Sequence, residues 1–164
     1  LGVTRLTSFT EEMQERGLKP FSRLLQWGVE PSLGPIAEQL QLLPNEEVLF
    51  IQRLRYADDE PMALSTSYFS LAVCPGLKDE NVENQSIYRL LEEKYGIKLT
   101  QAEQSIRAKS ANAQEASLLN VKPGASLLVV EGTVLTAIGQ PVEHLQTIYR
   151  SDRYEFRVHS VRVP

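Results

Sequence analysis

Cysteine and histidine are nearly missing from this chain of 164 residues, which has one cysteine and two histidines. Cys74 therefore has no partner for an internal disulfide, and a multi-cysteine metal site is excluded. His144 and His159 stand too far apart to form one of the closely spaced ligand pairs of metal centres. We expect neither a metal nor a cofactor, and the lack of disulfides favours the reducing cytoplasm.

Long apolar runs and a surplus of basic residues are missing as well. No stretch approaches the roughly 18 consecutive apolar residues that indicate a membrane-spanning helix. The 17 Lys and Arg residues stand against 21 Asp and Glu residues, which gives a net charge of −4. Because binding to the phosphate backbone of DNA needs a basic face, the chain is not expected to bind DNA by itself.

The overall composition, with 42% hydrophobic and 23% charged residues, is typical of a soluble globular domain. No linker or low-complexity segment interrupts it, so we expect one domain over residues 1–164. Caps and helical spacing predict helices that begin at Ser8, Pro31, Ser86 and Ala111. Alternating apolar residues predict strands over residues 21–29, 48–56, 62–69, 97–108, 126–137, 141–149 and 154–163.

The sequence contains a weak internal repeat with an offset of 79 residues. The matched pairs are Ala37 and Ala116, Leu40 and Leu119, Pro44 and Pro123, Leu49 and Leu128, and Ile51 and Val130. Each copy reads as a helix, a proline turn and a β-hairpin. Two such units predict an α+β fold in which an antiparallel sheet is covered on one side by helices. The repeat also favours a ligand cleft between the two halves.

Arg53 and Arg55 are the most informative polar pair. Two positions apart on a strand, they share a face and stand about 7 Å apart, so both guanidinium groups can bind one anion. Leu49 and Ile51 lie on the same face, which indicates that the face is partly buried. The alternative is that each arginine pairs with an acidic residue on a neighbouring strand, and the spacing alone does not decide between the two.

Two helix starts could complete an anion site. The segments Ser8–Thr10 and Ser86–Tyr88 each offer free backbone amides and a hydroxyl, although every capped helix has these features.

Glu143 and Tyr149 share a face of a later strand. Glu143 could accept hydrogen bonds from sugar hydroxyls or an amine, or it could pair with an arginine.

Four motifs in this order make the sequence recognisable: LTSFTEEMQERGLKP, RLRYADDEPMALS, SIYRLLEEKYGI and GQPVEHLQTIYRSDRYEF. Together they resemble the UTRA effector-binding domain of GntR-type transcription regulators of the HutC subfamily. The resemblance implies the chorismate-lyase fold, a six-stranded antiparallel sheet with flanking helices. It also implies a homodimer, and operator DNA bound only through an N-terminal winged helix-turn-helix domain that this chain lacks. The strands over 126–137 and 154–163 are the expected candidates for the dimer interface.

Among these regulators, the motifs are most similar to those of sensors for phosphorylated amino sugars, which implies a role for each matching residue. The residues expected at the effector phosphate are Arg53, Arg55, Ser86, Tyr88, Thr10 and Phe9. The residues expected at the sugar are Glu143, Tyr149 and Ser65, the last standing where such sensors carry a glutamate. The implied effector is a small phosphorylated metabolite such as glucosamine 6-phosphate or N-acetylglucosamine 6-phosphate.

Two alternatives to this function stay open at the level of sequence. The same sensor could bind an unphosphorylated acid or an acyl ligand, because Ser65 replaces a glutamate in the half of the site that binds the sugar. A chorismate-lyase-type enzyme is permitted by the fold but gives no reason for the long match to sensor motifs. We therefore expect a binding domain that is not an enzyme.

Overall fold

A computed structural model describes residues 6–164 as one antiparallel sheet with helices packed against it. The strands are β1 (Pro20–Pro31), β2 (Glu47–Ala57), β3 (Glu60–Ser70), β4 (Leu99–Ser110), β5 (Ser126–Thr136) and β6 (Pro141–Arg150). The helices are α1 (Phe9–Glu15), α2 (Gly34–Gln39), α3 (Ile87–Glu93) and α4 (Ala113–Leu119), with a short 3-10 helix at Pro75–Asp79. The six strands are arranged in the order β1-β2-β3-β6-β5-β4, which confirms the expected α+β fold. The first five residues of the predicted domain lie outside the described part.

The sheet is built from two copies of one unit, as the internal repeat predicts. The first copy is β1-α2-β2-β3 and the second is β4-α4-β5-β6. Strands β1 and β4 begin at Pro20 and Leu99, and β2 and β5 begin at Glu47 and Ser126, so both pairs keep the 79-residue offset. The copies meet where β3 pairs with β6, at the centre of the sheet. The first strand of each copy, β1 or β4, therefore belongs to the repeat as well, although the matching residues in the sequence begin only at the helix that follows it.

Helices cover both faces of the sheet, so the expectation of a cover on one side is wrong. Leu54 and Leu64 point to the face on which α4 packs, and they are buried there. Ile51 and Ala63 point to the opposite face and are just as buried. Because the central strands are apolar on both faces, each face needs its own cover of helices.

The face opposite α4 has an apolar cluster at each end and a polar stretch between them. At one end, α1 buries Met13 against Ala63 and Tyr149. At the other end, α3 and the 3-10 helix bury Leu91 against Phe69. Between these clusters the strands carry the polar side chains of the candidate site, and we call this side of the sheet the cavity face.

The predicted strand over residues 154–163 is wrong. The segment runs without regular structure, and within it only Ser160 makes an isolated bridge. Its alternating pattern resembles a strand, but β6, which precedes it, is already paired with β3 and β5. The segment instead packs Tyr154 against Tyr149 on the cavity face. Within residues 6–164, no helix is both long enough and apolar enough to cross a membrane.

Candidate functional site

A cavity of about 680 Å³ opens on the cavity face between the two apolar clusters. Strands β2, β3 and β6 form its floor, while α1, the start of α3 and the segment after Tyr154 form its walls. Of the residues expected to bind the effector, eight line it: Phe9, Arg53, Arg55, Ser65, Ser86, Tyr88, Glu143 and Tyr149. Thr10 is not brought to this cavity, because its side chain borders a neighbouring groove beside β1. Its position one residue after Phe9 turns it to another side of α1.

Both arginines of the R-x-R pair are buried at the floor of the cavity, and each is only 5% exposed. The Arg53 Nη1 donates hydrogen bonds to the carbonyl oxygens of Gln85, at 2.9 Å, and Val82, at 3.3 Å. The Arg55 Nη1 donates to the Ser22 Oγ at 3.1 Å. The Arg55 guanidinium also lies 4.8 Å from the centre of the Phe9 ring. The two side chains are therefore held by neutral groups.

Within residues 6–164, neither arginine forms an ion pair with a carboxylate. Their partners across β3 are Ser65 and Ala63, so the alternative of acidic partners on that strand fails. The Arg55 Nε is also buried without any hydrogen-bond partner in this part of the chain. A buried cation with an unused donor is costly, and an anion entering the cavity would lower that cost.

The pKa shifts of the two arginines also favour an anion-binding role for this pair. Burial lowers the pKa of Arg55 to about 10, while Tyr149 and Glu143 oppose the shift. Burial lowers the pKa of Arg53 well below its usual value as well, and the like charge of Arg55 adds to this effect. Bound anions favour the protonated form, so they would move both pKa values back up.

Two helix starts meet beside the arginines. Ser8 caps α1 by accepting a hydrogen bond from the Glu11 amide at 3.2 Å, and Ser86 caps α3 by accepting one from the Arg89 amide at 3.3 Å. The two serine hydroxyls lie 3.5 Å apart. The capping role is thus confirmed for both serines. Their convergence also places the positive ends of two helix dipoles at one wall of the cavity.

Glu143 is the acidic group of the cavity floor and is 2% exposed. Its Oε1 accepts a hydrogen bond of 2.6 Å from the Tyr88 hydroxyl, and Ser67 provides a second one. Burial raises the pKa of Glu143, although these two donors and the arginines oppose the shift. On the same strand, Tyr149 stacks on Tyr154, with the ring centres 3.8 Å apart.

Several cavity residues were not identified from the sequence. Ser67 and Thr147 are buried on the floor beside Ser65, and the only signal for them is that polar residues recur at alternate positions of β3 and β6. Glu12 accepts a 2.9 Å hydrogen bond from the Tyr154 hydroxyl, and the Arg16 guanidinium lies 4.8 Å above the Tyr154 ring. Those partners are far apart in sequence, so no local pattern reveals them.

The arrangement is suited to binding an anion that also carries hydroxyl groups. Within residues 6–164, no three of the His, Cys, Asp and Glu side chains are placed to hold a metal ion. Cys74 is buried in the apolar cluster under α3 and does not line the cavity. Burial raises the pKa of its thiol, which makes the reactive thiolate less accessible.

The UTRA domain family matches residues 15–155 of this sequence. The chain belongs to the UTRA domain family. This UTRA domain has the fold of the crystallised effector domain of PhnF from Mycobacterium smegmatis, with a TM-score of 0.90. That comparison covers 97% of this chain and 98% of the PhnF domain at 22% sequence identity.

Curated relatives of this UTRA domain are transcription regulators. It is 33% identical over 151 residues to the HTH-type transcriptional repressor NagR of Bacillus subtilis, covering 92% of this chain and 62% of NagR. It is 29% identical over 154 residues to the mannosyl-D-glycerate transport/metabolism system repressor MngR of Escherichia coli, covering 94% of this chain and 64% of MngR. The domain thus spans less than two thirds of the length of these relatives.

The hydrogen bond between Tyr88 and Glu143 gives a first prediction for this UTRA domain. Tyr88→Phe removes a donor from a buried carboxylate, which we expect to lower the free energy of unfolding at pH 7 by about 1.5–3 kcal/mol. Urea denaturation measures this change. Tyr56→Phe is the control, because Tyr56 contacts Phe21 through its ring. An equal loss in both variants would contradict a specific role for the bond.

The penalty of Tyr88→Phe is also expected to depend on pH. The folded-state pKa of Glu143 is raised, so ionising this group costs folding stability as the pH rises from the unfolded value of about 4.3 toward the folded value. Removing the Tyr88 donor raises the folded pKa further. The penalty should therefore be small in acid and grow toward neutral pH, and a penalty that shrinks with rising pH would contradict this assignment.

Proposed function

We propose that the chain is the sensor domain of a cytoplasmic GntR-type transcription regulator of the HutC subfamily, and that it binds a small phosphorylated metabolite. The proposed class is a sugar phosphate such as glucosamine 6-phosphate or N-acetylglucosamine 6-phosphate. The observation that carries the proposal is the buried pair Arg53 and Arg55, which has no acidic partner in the described part of the chain. In the proposed regulator, the occupied cavity changes how an attached winged-helix domain binds operator DNA.

The phosphate end of the ligand is supported by three features of the cavity floor and the wall beside it. Two guanidinium groups, the unpaired Arg55 Nε and two converging helix starts all favour negative charge. A phosphate group has three acceptor oxygens and nearly two negative charges near neutral pH. It can therefore accept hydrogen bonds from more of these donors than a single carboxylate can.

The sugar end is supported by the polar floor next to the arginines. Ser65, Thr147 and Glu143 are buried side chains that line the cavity, and each can exchange hydrogen bonds with ligand hydroxyls. Tyr149 adds an aromatic wall at the end near α1. The relative MngR is named as the repressor of a mannosyl-D-glycerate system, which supports a ligand related to sugars.

Helix α1 supports the proposed link between the ligand and the DNA-binding domain. Phe9 and Glu12 of this helix line the cavity, so a ligand would touch α1 directly. In the proposed regulator, the winged-helix domain is joined on the N-terminal side of α1. Any shift of α1 on ligand binding would then be passed to that domain.

We also propose that the regulator is a homodimer, since two subunits match two operator half-sites. Of the two expected interface elements, strand β5 lies inside the sheet, paired with β4 and β6, and residues 154–163 do not form a strand. Within the described residues, the edge strands of the sheet are β1 and β4, and we propose that one of them takes part in meeting the second copy.

A thermal-shift screen tests the proposed ligand class. A panel of hexose 6-phosphates is compared with the same sugars lacking phosphate and with unphosphorylated carboxylic acids. A true ligand at about 100 times its Kd is expected to stabilise the folded chain by about 2.7 kcal/mol. We expect stabilisation by phosphorylated sugars alone. Equal stabilisation by unphosphorylated acids or acyl compounds would contradict the proposal.

A further inference from the structure

The one buried residue of strand β1 is polar. Ser22 is 5% exposed, while the other residues of Pro20–Pro31 are exposed or half-buried. Burying a hydroxyl is costly unless it is hydrogen-bonded, and an apolar side chain would fill the same position without that cost. The serine therefore indicates a specific hydrogen-bond partner at this place on the strand.

That partner is the guanidinium group of Arg55. Ser22 stands directly opposite Arg55 in the pairing of β1 with β2, and the Arg55 Nη1 donates to the Ser22 Oγ at 3.1 Å. The Phe9 ring lies against the same guanidinium group. A carboxylate at this position would also neutralise the arginine. The hydroxyl is an uncharged acceptor, so it holds the guanidinium in place and leaves its charge available for an anion.

Asn84 in turn holds Ser22 from outside the sheet. Its Oδ1 accepts a 2.9 Å hydrogen bond from the Ser22 backbone amide. Because β1 is an edge strand, amides on its outer side have no neighbouring strand to pair with, and the Asn84 side chain takes that place. A shift of Asn84 would therefore release the backbone that carries the Ser22 hydroxyl.

The segment over residues 81–86, which carries Asn84, is also bound by Arg53. The Arg53 Nη1 donates to the carbonyl oxygens of Val82 and Gln85, which flank Asn84 in the sequence. The same short segment thus contacts both arginines of the pair, one directly and the other through the bonded serine. The cavity floor, the segment and the edge strand form one hydrogen-bonded network.

We infer that Ser22 and Asn84 are positioning residues of the anion site, which fix the place of the Arg55 guanidinium without touching the ligand. The inference rests on the proposed function. Neither residue lines the cavity, and both border the neighbouring groove beside β1. A binding group is effective only when surrounding hydrogen bonds hold it in the productive geometry, and this pair provides such bonds for Arg55.

NMR relaxation of the Arg55 Nε in the unliganded domain tests the inference without a ligand. We expect Ser22→Ala and, to a smaller extent, Asn84→Ala to lower its order parameter from the rigid range of about 0.85 toward the flexible range below about 0.6. Ser22→Thr keeps the hydroxyl and should stay close to the unmodified domain. Unchanged order parameters in both alanine variants, or equal losses in Ser22→Ala and Ser22→Thr, would overturn the inference.

Titration calorimetry with glucose 6-phosphate and N-acetylglucosamine 6-phosphate measures the consequence for binding. For the sugar phosphate that binds more tightly, we expect Ser22→Ala to raise the Kd about tenfold and Asn84→Ala about threefold, because a mobile arginine must be ordered when the anion binds. Asn81→Ala is the matched control. The Asn81 side chain accepts a hydrogen bond from the Glu83 amide within the same segment, and its loss should change the Kd less than about twofold. An equal loss in Asn81→Ala and Asn84→Ala would overturn the inference.

A cycle with Arg55→Met separates positioning of this arginine from a general effect on the fold. In the Arg55→Met background, Ser22→Ala should cause no further loss of affinity, because it acts through Arg55. A further loss as large as in the unmodified background would contradict the positioning role. If the unmodified domain binds neither sugar phosphate, the proposed function fails, and the order parameter of the Arg55 Nε still decides whether Ser22 and Asn84 position this side chain.

Discussion

Replacing Arg55 by Met is expected to weaken binding of the phosphorylated ligand by about 2–5 kcal/mol, which is about 30-fold or more in Kd. The reason is that Arg55 is buried at the floor of the cavity, carries an unpaired Nε and forms no ion pair with a carboxylate in the described part of the chain. The unliganded variant should keep or gain stability, because a buried charge is replaced by an apolar side chain of similar length.

Two measurements on the same variants check this prediction. Calorimetry gives the affinity, and urea denaturation without ligand gives the free energy of unfolding. Arg23→Met is the matched control, since Arg23 is an exposed arginine on the adjacent strand β1 and should leave both quantities almost unchanged. A large loss of unliganded stability in Arg55→Met with unchanged affinity would show that Arg55 is a structural residue.

Replacing Arg53 by Met is expected to cost a similar amount of ligand affinity and, in contrast to Arg55, to cost stability. Arg53 donates to the carbonyl oxygens of Val82 and Gln85, which hold the segment before α3. Leaving the buried carbonyl of Val82 without this donor costs about 1–3 kcal/mol, so Arg53→Met should be less stable than Arg55→Met by about that amount. Urea denaturation of both variants without ligand measures the difference.

The double variant tests whether the two arginines hold the same group. If both contact one phosphate, the combined loss of affinity should be smaller than the sum of the two single losses. The reason is that the first substitution already weakens the phosphate contact that the second arginine shares. Calorimetry on the four proteins of this cycle measures the coupling. Strictly additive losses would indicate two separate anions or an indirect effect, and would contradict the shared site.

Much of the site could be predicted because it depends on short-range periodicity. Arg53 and Arg55 share a buried face with Leu49 and Ile51, as their spacing on a strand requires, and the repeat offset reappears in the positions of β1 and β4. Ser8 and Ser86 act as caps, which is also a local property. These features are determined by neighbouring residues, so a single sequence is enough to reveal them.

Other features depend on contacts between distant parts of the chain, and they could not be predicted. Whether the arginines had acidic partners depended on the order of strands, which placed Ser65 and Ala63 beside them. The segment after Tyr154 alternates like a strand, yet the strand before it has no free side to pair with. Thr10 follows Phe9 in the motif, but the turn of α1 directs it to another groove.

Phosphorus NMR of the bound ligand tests the central claim, that the buried arginine pair holds a phosphate. The probe is the phosphorylated sugar that binds most tightly in the thermal-shift panel. The second pKa of a phosphate monoester in water is about 6, and two guanidinium groups at contact distance favour the dianion. We predict that the phosphate signal of the bound ligand stays dianionic well below that pH, and that Arg55→Met moves its titration back toward that of the free ligand. A bound phosphate that titrates like the free one in the unmodified protein would contradict the account.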